Sequence, residues 1–419
     1  MRKRELITVL MVLMFAISAM AATEQVLYTF KGGAAGAFPS SSLVRDGKGN
    51  LYGTTSSGGN LSVCTKGFFT PGCGVVFELS LVNGSWQESV LYTFQGGTDG
   101  AGPGGNLVFD AAGNLFGTTS NGGSTSCGNG LGCGTVFELS PQADGSWKET
   151  ILHVFGGQPD GAFPAGLTPD ALGNLYGVAT SGGANGRGAV YELSKQSGTL
   201  KESVIYSLRD FEVQPNPGLA FDSAGNLYGT FFQLYGCFGS AACGAVFELS
   251  QANGMWTEMD LVDFAGGGNG GDPMAGVILD SAGNIYGTTA KGGNNYGIAY
   301  ELKRSGSKIQ GVMLHNFCSL NNCADGAVPL SALAADASGN FYGTTSTRGT
   351  ACSSCGTVYK LFRGKLGWEE MVLHSFRGGT DGSYPTQSLI LDAQGNLYGV
   401  TSGTEGSDAL YGTVFEVTQ

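Results

Sequence analysis

Short apolar runs recur along the whole chain, broken at close intervals by Gly, Asn and Asp, and the period within each run is that of a strand. Residues 165–208 show the unit: AGLTPD, NLYGVAT, GAVYELS and, after a polar turn, KESVIYSL. Each run is strand-length and rich in β-branched and aromatic residues, which predicts four β segments. No long segment carries the 3.6-residue period of an amphipathic helix, which excludes a helical solenoid.

The unit recurs seven times. Its marker is Asp, two variable residues, Gly, Asn, an apolar residue, an aromatic and Gly, with the Asn at positions 50, 114, 174, 226, 284, 340 and 396. An array with this period is a repeat architecture. The Asp-x-x-Gly-Asn link suits a tight hairpin, the Asp side chain accepting from backbone N–H groups and Gly supplying a positive φ. Turn chemistry therefore accounts for these Asp residues without a metal.

Four strands in each of seven repeats predict an all-β fold, a seven-bladed β-propeller of four-stranded antiparallel blades. The chain ends support closure. Val26-Leu27-Tyr28-Thr29-Phe30 reads as a fourth strand with no strands before it, and Gly412–Val417 as a third strand with none after it. The N-terminal strand is expected to complete the last blade, leaving no unpaired edge.

Residues 1–21 stand apart from the array. Arg2, Lys3 and Arg4 precede an apolar run from Leu6 to Ile17 and then Ala19-Met20-Ala21. This is a signal-peptide layout, with cleavage expected after Ala21, and it predicts a secreted or periplasmic product with residues 22–419 as one propeller domain. The chain has 33 Asp and Glu against 21 Lys and Arg, and the leader takes three basic residues and one acid with it. The acidic balance argues against nucleic acid as a partner. Much of that charge is structural, because every repeat contributes a turn Asp and six of the seven a Glu in a common strand. The mature chain has no apolar run of spanning length, and a monomer is expected.

Ten cysteines fall into five close pairs: Cys64 with Cys73, Cys127 with Cys133, Cys237 with Cys243, Cys318 with Cys323, and Cys352 with Cys355. In an exported chain this reads as five disulfides. Four pairs precede the third strand of their repeat, as in CGVVFEL and CGTVFEL, which points to loop stiffening. Cross-pairing, or a four-Cys zinc site from Cys318, Cys323, Cys352 and Cys355, is the alternative.

In a propeller the loops from second to third strand share a face with those joining one blade to the next. The latter carry Asp99, Asp160, Asp325 and Asp381 in the segments GGTDGAGP, GGQPDGAFP, CADGAVP and GGTDGSYP. A ring of these carboxylates is the candidate ligand site, for calcium or for sugar hydroxyls. A solvated Asp-Gly turn before Pro is the competing account.

The remaining chemistry is sparse. His153, His315 and His374 stand in ILHVF, MLHNF and VLHSF, where Tyr28, Tyr92 and Tyr206 stand in other repeats, so one structural slot accepts either ring. Trp86, Trp147, Trp256 and Trp368 each precede a Glu by two residues near the start of the fourth strand and read as blade-packing residues. There is no G-x-S-x-G elbow and no Walker loop. Gly266–Gly271 formally fits G-x-G-x-x-G, but it leads into a strand-like segment. No catalytic residues are assigned.

The pattern VLYTFxGGxDGAxPxxxLxxDxxGNLYGTTxxGG, followed by GxVFELS, resembles the bacterial GloVer tandem repeat of the choice-of-anchor family and covers residues 25–417. The resemblance implies export and, in some members, a C-terminal anchoring segment. Here the sequence ends in a strand with no recognisable anchor after it, so release or periplasmic retention is expected. The strand–turn–strand unit is also similar to that of NHL-type propellers, an analogy of fold that does not carry function. The expected function is a non-catalytic binding module with an unknown protein or glycan ligand. The alternative is a hydrolase or lyase acting on a glycan or small molecule at the channel mouth, with or without a metal.

Overall fold

A computed structural model describes residues 22–65, 71–127, 130–196, 199–209, 212–232, 243–306, 308–403 and 411–419. The signal-peptide expectation, residues 1–21, lies outside them, as does Cys237.

Seven antiparallel sheets follow one another along the chain. Blade 3 shows the plan. Its inner strand is Ala162–Pro169, followed outward by Leu175–Ser181, Ala189–Gln196 and Thr199–Ser207. In several blades the inner strand is interrupted, as in blade 1, where Ala37–Pro39 and Val44–Arg45 both pair with Leu51–Ser57. Blade 7 draws its outer strand from the other end of the chain. Thr23–Thr29 pairs with Thr413–Thr418, so the ring closes as the chain ends predict.

Each sheet packs both faces against its neighbours, which is why the buried positions of the second and third strands are mostly apolar or Thr. The core is a series of inter-blade layers rather than one central mass. In one layer Phe94, Leu107, Leu115, Phe137 and Leu139 pack together, with Trp147 against them. Trp86, Trp256 and Trp368 hold the same packing role in other layers.

The repeated turn does what its residues dictate. Asp46 Oδ1 accepts from the N–H groups of Lys48 and Asn50 at 2.8 and 2.9 Å. Tyr52 Oη then reaches Asp46 Oδ2 at 3.2 Å and Glu78 Oε1 at 2.8 Å, tying the hairpin to the third strand.

A second device stitches blade to blade. The residue before the Pro that opens each inner strand has positive φ: Phe38, Phe163, Gln214, Asp272, Val328 and Tyr384 lie between 50° and 61°, with Gly102 at 62° in blade 2. Positive φ is unfavourable for these side chains, most of all for β-branched Val328, and persists only where the surroundings hold it. The hold is a hydrogen bond from each N–H to the preceding blade. Phe38 donates to Tyr411 O at 2.7 Å, Gly102 to Cys73 O at 2.9 Å, Phe163 to Cys133 O at 2.8 Å and Tyr384 to Cys355 O at 3.0 Å. The accepting carbonyl often belongs to the Cys that ends a second-to-third-strand loop, so the cysteines sit where the blades are joined.

Candidate functional site

At the axis the inner strands enclose a cavity of about 320 Å³, lined by residues that include Ser42, Asn106, Pro217, Ala275, Ser331 and Ser388. No side chain lining it is titratable. The backbones come very close here. A Cβ on Gly276 would lie 1.8 Å from Gly218 O, and one on Gly105, whose φ is +73°, would lie 2.3 Å from Gly166 N. Polar side chains near the axis are used to bind neighbouring blades. Ser40 Oγ donates to Pro103 O at 2.7 Å, Asn106 Nδ2 to Leu167 O at 2.7 Å and Thr168 Oγ1 to Leu219 O at 2.8 Å.

The loop face is assembled as the order of strands predicts. Four disulfides are present: Cys64–Cys73, Cys127–Cys133, Cys318–Cys323 and Cys352–Cys355. The sulfurs weighed as zinc ligands are thus two local disulfides. The cross-linked loops rest on the blade-to-blade turns. Asn60 Nδ2 donates to Gln95 Oε1 at 2.8 Å, and Ser126 Oγ to Gly156 O at 3.0 Å.

Asp99, Asp160, Asp325 and Asp381 each sit at a different blade interface, and the structure does not bring them together. Every one of them faces the Tyr or His slot of the preceding outer strand. Tyr92 Oη donates to Asp99, while His153 Nε2 lies 3.3 Å from Asp160, His315 Nε2 3.2 Å from Asp325 Oδ2, and His374 Nε2 3.1 Å from Asp381 Oδ1. Backbone N–H groups complete each carboxylate: Gly156 donates to Asp160 at 2.8 Å, Ser319 to Asp325 at 2.8 Å and Arg377 to Asp381 at 2.6 Å. Glu212 plays this part between blades 3 and 4, accepting from Tyr206 Oη at 2.7 Å and from the N–H of Arg209 at 2.8 Å.

A third group completes the interface, and sequence reasoning assigned it no role. Glu88, Glu149, Glu202, Glu258, Glu370 and Glu24 stand at one register position of the outer strands, each opposite a Leu or Val of the third strand. Each meets the slot or loop residue of the preceding blade: Tyr28 Oη lies 3.5 Å from Glu88 Oε2, and Glu202 Oε2 lies 4.0 Å from His153 Nε2. In all six the Oε1 atom is buried without a hydrogen-bond partner. The signal was available in five repeats as the constant distance from the slot residue to the Glu before it.

Burial pushes these carboxyls up. Glu24, Glu88, Glu149, Glu202 and Glu258 are raised to about 7 and Glu370 to about 8, with desolvation the first cause in every case. The partner carboxylates go the other way where hydrogen bonds hold the charged form. Asp325 is lowered to about 2, burial being opposed by His315, Ser319 and Leu320, and Asp381 is lowered in the same manner by His374. The interfaces of Asp325 with Glu370 and of Asp381 with Glu24 therefore pair a carboxyl that burial pushes up with one that hydrogen bonds hold down.

Among the described residues, Glu24, His374 and Asp381, and likewise His153, Asp160 and Glu202, bring three ligand atoms within 4.8 Å of one another, a donor set able to hold a divalent cation. In the third such group, Glu212, Glu258 and Asp260, Arg209 supplies the positive charge, its guanidinium bonded to Glu212 and Glu258 and 3.7 Å from Asp260. No helix of the described residues is long and apolar enough to cross a membrane.

Known proteins share this fold at low identity. A fungal alcohol oxidase of the AA5 family, in complex with copper, is 14% identical with a TM-score of 0.56 over 94% of this chain and 76% of the oxidase. A puromycin-hydrolyzing peptidase of Mycobacterium tuberculosis is 12% identical with a TM-score of 0.51, over 94% of this chain and 55% of the peptidase. At such identities the likeness shows the fold alone. No curated protein matches the chain. The repeat itself is more specific, since the model of the Gloeobacter/Verrucomicrobia repeat matches residues 59–236 and again 214–419. With both matches together running from the first cross-linked loop to the last strand, the chain belongs to the Gloeobacter/Verrucomicrobia repeat family.

Proposed function

We propose that this protein is an exported, non-catalytic binding module that presents its disulfide-pinned loop face to a protein or glycan. The observation that carries the reading is the use already made of the reactive side chains. The histidines and loop carboxylates are engaged with one another and with backbone N–H groups inside the blade interfaces, and the residues lining the axial cavity are neutral. Local disulfides fit export and favour a rigid recognition surface, because a pre-ordered loop loses less entropy on binding. A depression of about 450 Å³ on this face, lined by Ser126, Gly156, Gln158, Phe163, Ser181 and Gly186, is the proposed centre of contact.

The second reading is a metal-dependent hydrolase or lyase, favoured by the Glu24–His374–Asp381 and His153–Asp160–Glu202 groups, whose one imidazole and two carboxylates suit a divalent transition metal better than calcium, which takes oxygen ligands. One experiment separates the two. The oxidised protein is applied to arrays of glycans and envelope proteins, assayed for hydrolase and lyase turnover of glycans, and analysed for bound calcium and zinc. The binding reading expects saturable capture that Gln158→Ala weakens, with no turnover. Turnover that Asp160→Asn abolishes would overturn it.

A further inference from the structure

One blade interface lacks the whole acid–aromatic group. Between blades 4 and 5 the slot opposite Val246 holds Val262 instead of Tyr or His. The position opposite Leu302 holds Gly311 instead of Glu. The third residue of the blade-to-blade turn is Asn269, where the turns Gly97–Asp99 and Gly379–Asp381 end in Asp. All three members change together, and a cavity of about 290 Å³ remains, walled by Val262, Phe264, Ile298, Tyr300 and Gly311 with Asp263 and Asn269 as polar members.

The other interfaces show what is missing. The slot ring packs edge-on against the Phe two residues later: Tyr28 on Phe30 with centroids 5.0 Å apart, Tyr92 on Phe94 at 5.1 Å, His153 on Phe155 at 4.6 Å and His374 on Phe376 at 4.8 Å. Phe264 keeps its contact with Tyr300 at 5.1 Å, as Phe94 does with Phe137 at 5.2 Å. With Val262 in the slot, no ring of its own strand can cover its other side. The place left is largely apolar and bordered by Asn269, at the turn position where Asp99 accepts from Tyr92 Oη.

We propose that this cavity is a binding site for a small neutral phenol. The ring takes the place of the slot tyrosine against Phe264, and the hydroxyl donates to Asn269 Oδ1. Apolar cavities of only about 150 Å³ accept benzene, so the volume is ample for one substituted ring. Charge selects the neutral ligand, since Asp263 borders the site and no cation lines it to meet an aromatic carboxylate. The loss of both Asp and Glu at this interface has the same logic, because neither has a tyrosine donor to satisfy it there. The site is separate from the loop-face reading and does not depend on it.

The probe is 4-methylphenol, the tyrosine side chain itself, titrated into the full oxidised protein by calorimetry and by saturation-transfer NMR. Saturable one-to-one binding is expected, weakened at least about tenfold by Val262→Phe, which fills the slot from within. A second variant, Val262→Tyr with Asn269→Asp and Gly311→Glu, rebuilds the group found at the other interfaces and is expected to fold and to lose binding equally. 4-Methylcyclohexanol, which keeps the hydroxyl but not the ring, is expected to bind several-fold more weakly. Absence of saturable binding by 4-methylphenol, or binding that survives both variants, would overturn the proposal.

Discussion

Tyr28 Oη, on the strand that completes blade 7, lies 3.5 Å from Glu88 Oε2 on the outer strand of blade 1, sixty residues later. The N-terminal strand therefore serves two interfaces. It fills the open edge of the last blade and supplies the aromatic slot of the first. Glu24, on the same strand, completes the interface with His374 and Asp381 on the other side.

The first prediction concerns this closure. Phe30 is fully buried in the layer that joins blade 7 to blade 1, packed on Phe77 with centroids 5.1 Å apart. Phe30→Ala is expected to cost about 3–5 kcal/mol in urea unfolding. Thr23→Ala, at the exposed start of the same strand, is expected to cost under about 1 kcal/mol.

The disulfides are expected to act locally. Cys127 and Cys133 are six residues apart, and closing so short a loop stabilises by only about 2–3 kcal/mol in the chain-entropy account. The double variant Cys127→Ser, Cys133→Ser should lower Tm by a few degrees. Hydrogen exchange should quicken mainly in the loop and at the N–H of Phe163, which bonds Cys133 O.

At the axis, backbone contact sets the tolerance. Gly276→Ala would place a methyl 1.8 Å from Gly218 O and should destabilise by at least about 2 kcal/mol. Gly47→Ala, with nothing within 4 Å of its Cβ position, should be close to neutral, within about 0.5 kcal/mol. Chemical denaturation of both variants checks the contrast.

The ring itself was legible in the sequence because its signals are local: a strand period, a turn with an Asp that satisfies its own backbone, and chain ends that complement each other. The blade interfaces were less legible. That Tyr and His share one slot was readable, but the partner of that slot is the acid of a strand in the next blade, fixed by ring geometry rather than by spacing. The loop aspartates read as one face, and they do lie on the blade-to-blade turns. Their side chains face the aromatic slots of separate interfaces, which no local pattern encodes. The empty interface at Val262, Asn269 and Gly311 emerges only when register places the three residues together.

At six of the seven blade interfaces burial holds an outer-strand glutamate carboxyl towards its neutral form, and the pH dependence of stability reads this out. A carboxyl raised from 4.5 to about 7 on folding keeps in the folded protein a proton that the unfolded chain has released. Its stabilisation is complete below pH 4.5 and is lost as pH rises to about 7. Aspartates held low, such as Asp325 at about 2, act at the other end, and their contribution disappears as pH falls through the acid range. The measurement is the unfolding free energy of the wild type and of Glu202→Gln from pH 3 to pH 9. A maximum near pH 4.5–5 is expected, with a fall of several kcal/mol by pH 8, at about 1.4 kcal/mol per unit before discounting for solvent. Glu202→Gln should flatten the fall by on the order of 1–2 kcal/mol. Stability that rises steadily from pH 5 to pH 8, with Glu202→Gln parallel to wild type, would contradict it.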